Sequence, residues 1–290
     1  MACYTYSMLI NQTVLMSDAR NFDDRAAINP YMDTAVAIDR VKAQFEHDQI
    51  QAALKAAGVT ITRVPSPAGC QDGVYTANWA LIHGDLAIMS RLPNARQAEE
   101  PYAAQVLEAL GKTIVEVPKG LRFSGQGDAL PCGSYLLTGS NYRTDPEVHQ
   151  FLAKTTGLEV ISLQTVPQID ENGESVMNAA SGWPDSFFYD IDLALAVLRP
   201  DLLAWCPEAF MPESQEKLRA LPLMKIEVSI EEAMSAFACN LVSTGETVIM
   251  SSQAPLFRAA VEAAGLQVIT PLIEELAKGG GYIRCTTLSL

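Results

Sequence analysis

The chain has 290 residues, with 34 Asp and Glu against 20 Lys and Arg, a formal charge of −14, and 49% hydrophobic and 19% charged residues. That content supports a large buried core rather than a disordered chain, and the negative charge repels nucleic-acid phosphates and anionic lipid, which argues against both as partners. No cationic start leads into an apolar core at the N-terminus, and no apolar run approaches the roughly 18 residues of a membrane helix, so a cytoplasmic location is expected. Six cysteines (Cys3, Cys70, Cys132, Cys206, Cys239 and Cys285) are spread over the chain without a C-x-x-C pair or a nearby His at zinc spacing. They suggest neither a metal motif nor a disulfide scaffold.

In chain order, residues 36–57 have helical spacing and end at Gly58, followed by a strand reading VTITRV and by two strands turning at Gly84 and Asp85. The same order returns with a helix at 97–110, the strand KTIVEV and a hairpin near Gly133. A third pass has a helix at 145–155, the strand LEVISLQTV and a hairpin at Arg199, Pro200 and Asp201. A fourth has helical residues at 212–220 and 229–237 around MKIEVS, then a hairpin at Gly245; the last has a helix at 255–264, LQVITPL and the terminal YIRCTTLSL. Five passes of one unit, with no flexible linker between them, predict a single closed α/β ring over 1–290 rather than a doubly wound sheet.

A polar residue enters an apolar strand at the same register of each unit: Asn78, Asp128, Asp190 with Asp192, Asn240 and Cys285. Around a common axis these groups converge, and a polar axis inside an apolar ring is a candidate pocket. Cys285 follows Gly279, Gly280 and Gly281, which let the backbone come close to a ligand, so it is the candidate nucleophile. Cys206 and Cys239 read as packing residues.

These residues resemble the guanidino-group-modifying enzymes of pentein fold: dimethylarginine dimethylaminohydrolase, arginine deiminase, arginine dihydrolase and the amidinotransferases. The resemblance is carried by Ala27 to Met32, Asp72 to Asn78, the stretch from Arg96 to Tyr102, Gly125 to Leu130, Tyr142 to Asp145, Pro207 to Phe210 and Gly279 to Leu288, in the family's order over nearly the whole chain. It implies a five-bladed α/β propeller of ββαβ-type units. It also implies a Cys-dependent hydrolase that needs no cofactor and attacks the amidine carbon of an arginine-like guanidino, amidino or ureido compound through a covalent adduct. Cys285 matches the nucleophile, and Arg96 and Arg143 match arginines that hold the substrate carboxylate. Asp72 and Asn78 match residues beside the guanidinium, while Asn29 and Asn78 resemble the dihydrolase branch. Asp128 and Asn240 complete the expected substrate pocket.

Two positions depart from the family pattern. Ser124 stands where the family has the Glu that grips the guanidinium, and Asp190 stands where it has its acid/base His. His47 and His83 are expected to be solvated and His149 to be a surface or capping residue, so none replaces it. An Asp near Cys285 would raise the thiol pKa, leaving a neutral resting thiol until a cation binds. Asp190 is therefore expected to take over the missing carboxylate role and, with its own pKa raised, to protonate the leaving nitrogen. The second reading is a pentein without turnover that binds a small amino-acid-like ligand. Residues 167–187 read as a surface excursion or a lid carrying Trp183 and Phe187. A cationic or amino-acid-like small molecule is the expected partner, with assembly as a homo-oligomer open.

Overall fold

The computed structural model describes residues 9–290, so Cys3 lies outside the described residues. β1 (Thr13–Met16) leads through α1 (Arg40–Ala56) to β2 (Thr60–Arg63), which pairs with β1 in parallel, Val14 opposite Ile61. β3 (Ala80–His83) and β4 (Leu86–Met89) form an antiparallel hairpin, and α2 (Glu99–Ala109) returns the chain to β5 (Thr113–Glu116), parallel to β4. The pattern repeats in β6 (Ala129–Cys132), β7 (Tyr135–Thr138), α3 (Val148–Thr156) and β8 (Glu159–Ser162). β9 (Leu195–Arg199), β10 (Leu202–Trp205), α4 (Pro212–Ala220) and β11 (Met224–Glu227) form the next unit, with α5 (Ile230–Ser235) added after it. β12 (Val242–Ser243), β13 (Thr247–Ile249), α6 (Pro255–Ala263) and β14 (Gln267–Ile269) form the fourth three-stranded sheet after β1 and β2, and β15 (Leu288–Ser289) completes the first by pairing antiparallel with β1. Among the described residues there are thus five three-stranded sheets, the five blades of a pentein propeller, with the last strand closing the ring on the first.

β15, β3, β6, β9 and β12 are each the edge strand of their sheet, and they meet one another around the axis. The middle strands supply the core, with Val14, Leu15, Ile88, Leu137, Leu203, Ala204 and Val248 fully buried and the helices outside them. Apolar contact removed from water at this scale dominates the stability of the ring.

Local chemistry trims the predicted boundaries. α1 begins at Arg40 rather than 36 because the Asp39 carboxylate accepts from the Val41 and Lys42 amides, a side-chain cap. α3 ends at Gly157, whose φ of +71° suits glycine. His47 corrects an expectation: it is fully buried on the inward face of α1 with Ala43, Glu46, Ile50 and Leu54, where helical spacing places it despite its charged neighbours. His83 ends β3 half-buried beside the predicted turn. Among the described residues no helix is long and apolar enough to cross a membrane.

Candidate active site

The groups predicted to share a register lie at the entrance ends of the five inner strands. Cys285, three residues before β15, is 2% exposed. Its Sγ is 3.2 Å from the donating Asn240 Nδ2 and 3.5 Å from Asp192 Oδ2. Asn240 Oδ1 in turn accepts from the Cys285 and Tyr282 amides, both at 3.1 Å, so one amide side chain holds the nucleophile by backbone and sulfur together.

The approach to Cys285 is pinned from four directions. Glu46, buried on α1, accepts the backbone amides of Glu274, Glu275 and Leu276 at 2.8–3.0 Å. Tyr75 donates to the Leu276 carbonyl (2.6 Å), Asn29 Nδ2 to Gly279 (2.9 Å) and Tyr189 to Gly280 (2.6 Å). A Cβ at Gly279 would run into Tyr75 Oη and come within 2.7 Å of Phe22, so the glycine is there for close approach. Asn29 therefore orders the nucleophile's loop.

Asn78 is the hub of the opposite side. Its Nδ2 donates to Ser124 Oγ (2.9 Å), the Ser124 carbonyl (3.1 Å) and Asp190 Oδ2 (2.7 Å), and its Oδ1 accepts from Arg96 Nη1 (2.8 Å). Ser124 and Asp190 thus meet at one amide.

Arg96 is corrected from carboxylate clamp to scaffold. Its guanidinium forks onto Glu99 at 2.8 Å through Nε and Nη2 and also bonds Asn78 and the Asp72 and Tyr75 carbonyls. With both residues at most 2% exposed, this pair orients Asn78. Arg143 is different: buried, it stacks 3.9 Å from the Tyr189 ring centroid, donates to the Ile28 carbonyl (3.0 Å) and lies 4.0 Å from Asp190 Oδ2.

Asp128 Oδ1 accepts the Ile191 amide at 3.0 Å and packs against Gly139, where a Cβ would collide with it. It braces the turn that carries Asp190 and Asp192. Burial pushes the Asp72 carboxyl up to about 6, against the opposing pull of Arg96, and Asp72 accepts from Gln71 Nε2 at 2.9 Å. His149 Nε2 lies 2.9 Å from the Gly139 carbonyl, so it is buried behind the site rather than capping at the surface.

Burial and then the Asp192 carboxylate hold the Cys285 thiol well above its ordinary value. Burial likewise raises Asp190 and Asp192, the latter further through Asp190, so the resting cluster favours neutral forms. Asp190 Oδ1 and Asp192 Oδ1 are buried without a hydrogen-bond partner. The orphan oxygen of Asp192, next to the thiol, and that of Asp190, on the Asn78 side, are open acceptors for a donor-rich planar cation.

Two features lay beyond the sequence reading. Asp192 was placed in the common register, but its position as the carboxylate nearest the sulfur depends on the turn at Ile191–Leu193. Tyr31 packs on Phe187 (5.6 Å) and Phe237 (4.6 Å), and Phe237 stacks on Tyr282, forming an aromatic wall near the thiol. Residues 167–187 join that wall through Phe187, while Asn178 donates to the Ala27 carbonyl at 3.1 Å and Trp183 lies under the Arg122 guanidinium.

A closed ring with a thiol among carboxylates and amides defines the class: a pentein with a cysteine site. The family model for eukaryotic N,N dimethylarginine dimethylhydrolase matches residues 21–290, and the chain belongs to that family. It is 33% identical to the N(G),N(G)-dimethylarginine dimethylaminohydrolase of Mycobacterium tuberculosis over 91% of this chain and 81% of that protein. It is 31% identical over 94% of its length to the bifunctional arginine dihydrolase/ornithine cyclodeaminase of a Nostoc species, of which it spans only 37%. Among solved structures, the product-bound N-terminal domain of a cyanobacterial arginine dihydrolase superposes with a TM-score of 0.84 at 29% identity, covering 95% of this chain and 96% of that one. The Pseudomonas aeruginosa dimethylarginine dimethylaminohydrolase, at 20% identity and a TM-score of 0.76, shares the fold. Membership places the chain among hydrolases acting on non-peptide C–N bonds.

Proposed function

We propose that this protein hydrolyses a C–N bond of an arginine-like guanidino compound through a covalent adduct on Cys285. The observation that carries the reading is a pair of orphan carboxylate oxygens, Asp192 Oδ1 on the residue whose Oδ2 lies 3.5 Å from the thiol and Asp190 Oδ1 on the residue bonded to Asn78. A guanidinium supplies the missing donors in one plane, and its positive charge offsets the repulsion that keeps the thiol protonated. Asp190 acts as the guanidinium carboxylate in place of residue 124, and Arg143, with Tyr189 against its face, receives the substrate carboxylate. Asn78 and Asn240 orient the two sides, and Asn29, Asp72, Arg96, Ser124 and Asp128 support them.

The alternative, a binding protein without turnover, is favoured by one observation: His47 and His149 bond elsewhere and His83 ends a strand, leaving no imidazole at Cys285. Incubation with arginine, dimethylarginine, citrulline and agmatine, assayed for released ammonia, amine or urea, separates the readings. Turnover abolished in Cys285→Ala establishes the hydrolase; inertness toward all four with a raised melting temperature in one establishes the binding protein.

A further inference from the structure

A cavity lies where the five inner strands meet. It has a volume of about 290 Å³ and is lined from all five inner strands or their flanks, by residues including Ile82, Leu130, Ala196, Leu241 and Ser289. Of the site's groups only Asp192 lines it, while Cys285, Asn78, Asp190 and Asn240 do not, so the cavity lies behind the thiol and meets the site at Asp192. Its lining runs outward to exposed Gly84 and Pro131 and inward to Gln126, Arg284 and Asp192. Gln126 and Arg284 form its polar wall: Arg284 Nη2 donates to Gln126 Oε1 (2.8 Å) and Nη1 to Ser289 Oγ (3.0 Å). A cavity of this size has room for several waters, and Asn11, Gln126, Asp192, Arg284 and Ser289 in its mixed lining offer them partners.

Asp192 belongs to both sides. Its Oδ2 faces Cys285 Sγ at 3.5 Å, its Oδ1 is buried and unpartnered, and the residue lines the rear cavity. Asp190, by contrast, is tied to Asn78 at 2.7 Å and lies 4.0 Å from Arg143. We infer that Asp192 carries the reaction's protons and that the rear cavity is its water-filled route to bulk solvent, an inference that rests on the hydrolase reading above.

When a guanidinium binds, Asp192 releases its resting proton to cavity water and becomes a carboxylate. The Cys285 proton passes to Asp192 as sulfur bonds to the amidine carbon and the C=N π pair moves to nitrogen. Asp192 gives that proton to the departing nitrogen, whose C–N bond breaks with its electron pair, leaving an S-linked amidinium cation. Water loses a proton to Asp192 as its oxygen bonds to the carbon. The C–S pair then returns to sulfur, which takes the remaining hydroxyl proton and frees the ureido product. The released ammonia takes up the proton first given to bulk water. The charged and titratable groups around this path are Asp128, Asp190, Arg284 and Cys285.

The test compares the wild type with Asp192→Asn and with two plugs of the rear cavity, Pro131→Trp at its exposed mouth and Ala196→Met inside. On the substrate turned over best by the wild type, Asp192→Asn lowers kcat by about 10²- to 10⁴-fold. Substrate affinity, measured calorimetrically in a Cys285→Ala background, falls about 10- to 100-fold for the lost guanidinium acceptor, which accounts for only part of the loss in kcat/KM. The plugs lower kcat about tenfold with KM unchanged, and acid-quenched protein shows the covalent adduct by intact mass. An affinity loss equal to the loss in kcat/KM makes Asp192 only a guanidinium holder, and plugs with wild-type kcat exclude the route; either overturns the inference. A wild type inert toward every guanidino compound refutes the hydrolase reading instead. In that case the pH profile of Cys285 alkylation by iodoacetamide still decides whether Asp192 and the thiol share a proton: a profile shifted to lower pH in Asp192→Asn supports it and an unchanged profile overturns it.

Discussion

The meeting of Ser124 and Asp190 at Asn78 Nδ2, at 2.9 and 2.7 Å, makes the two positions energetically interdependent. Replacing Ser124 by Glu alone adds a second buried carboxyl beside Asp190. Two carboxylates about 4 Å apart repel by about 4 kcal/mol at an effective dielectric of about 20, which is the upper limit of the cost because one of them can stay protonated. Ser124 is 1% exposed, so water does little to screen it, and Asp128, whose carboxyl Asp190 pushes up, shares the same field. Asp190→His alone removes an acceptor from Asn78 and the nearest carboxylate from Arg143, a loss of about 1–3 kcal/mol. Combining Ser124→Glu with Asp190→His restores one carboxylate at Asn78 and relieves the repulsion. The double variant should therefore be more stable than the sum of the singles by at least about 2 kcal/mol. Urea unfolding of the four proteins at pH 7, with unchanged m values, measures this coupling. The double variant should also turn over arginine faster than either single. Additivity within about 0.5 kcal/mol would refute the reasoning, because it would mean that the two side chains do not share one site.

His47 predicts an acid limb of stability. Burial lowers its pKa to about 4, so the folded state binds fewer protons than the unfolded chain. Its contribution is present above about pH 6.5 and lost as the pH falls toward 4, about 3 kcal/mol in full. Urea titrations at pH 7, 5.5 and 4.5 should show that loss in the wild type and a flatter limb in His47→Leu; equal slopes would count against it. Gly127→Ala places a methyl against Asn78 Nδ2 and 2.7 Å from Asp190 Oδ2. Turnover should fall by at least about tenfold for a stability loss of about 1–3 kcal/mol, compared by kinetics and thermal melting, and wild-type turnover would refute the role of the hub.

Periodicity in the chain was sufficient for the repeat, because each blade rewrites the same strand, hairpin and helix with local turn chemistry. Gly84, Gly133, Gly245 and the Arg199–Asp201 corner all sit between paired strands, as a turn residue should. Polar residues inside α1 were harder to read. Glu46 and His47 share a helix with exposed Val41 and Phe45, and only the packing of α1 shows that their face turns inward. Arg96 was equally opaque, since an arginine in sequence looks the same whether it faces a ligand or Glu99.

The sequence by itself determined the ring and the cysteine after its glycines, because these are matters of residue type and spacing along one chain. Tertiary structure decided which groups act together. It brought Ser124 and Asp190 onto one Asn78 amide, turned Arg96 away onto Glu99, set Asp192 rather than Asp190 beside the sulfur, and left a cavity behind it. The physical reason is that the site is built from five strand entrances distant in sequence. Distances between them, and the burial that raises their carboxyl and thiol pKa values, exist only after the ring closes.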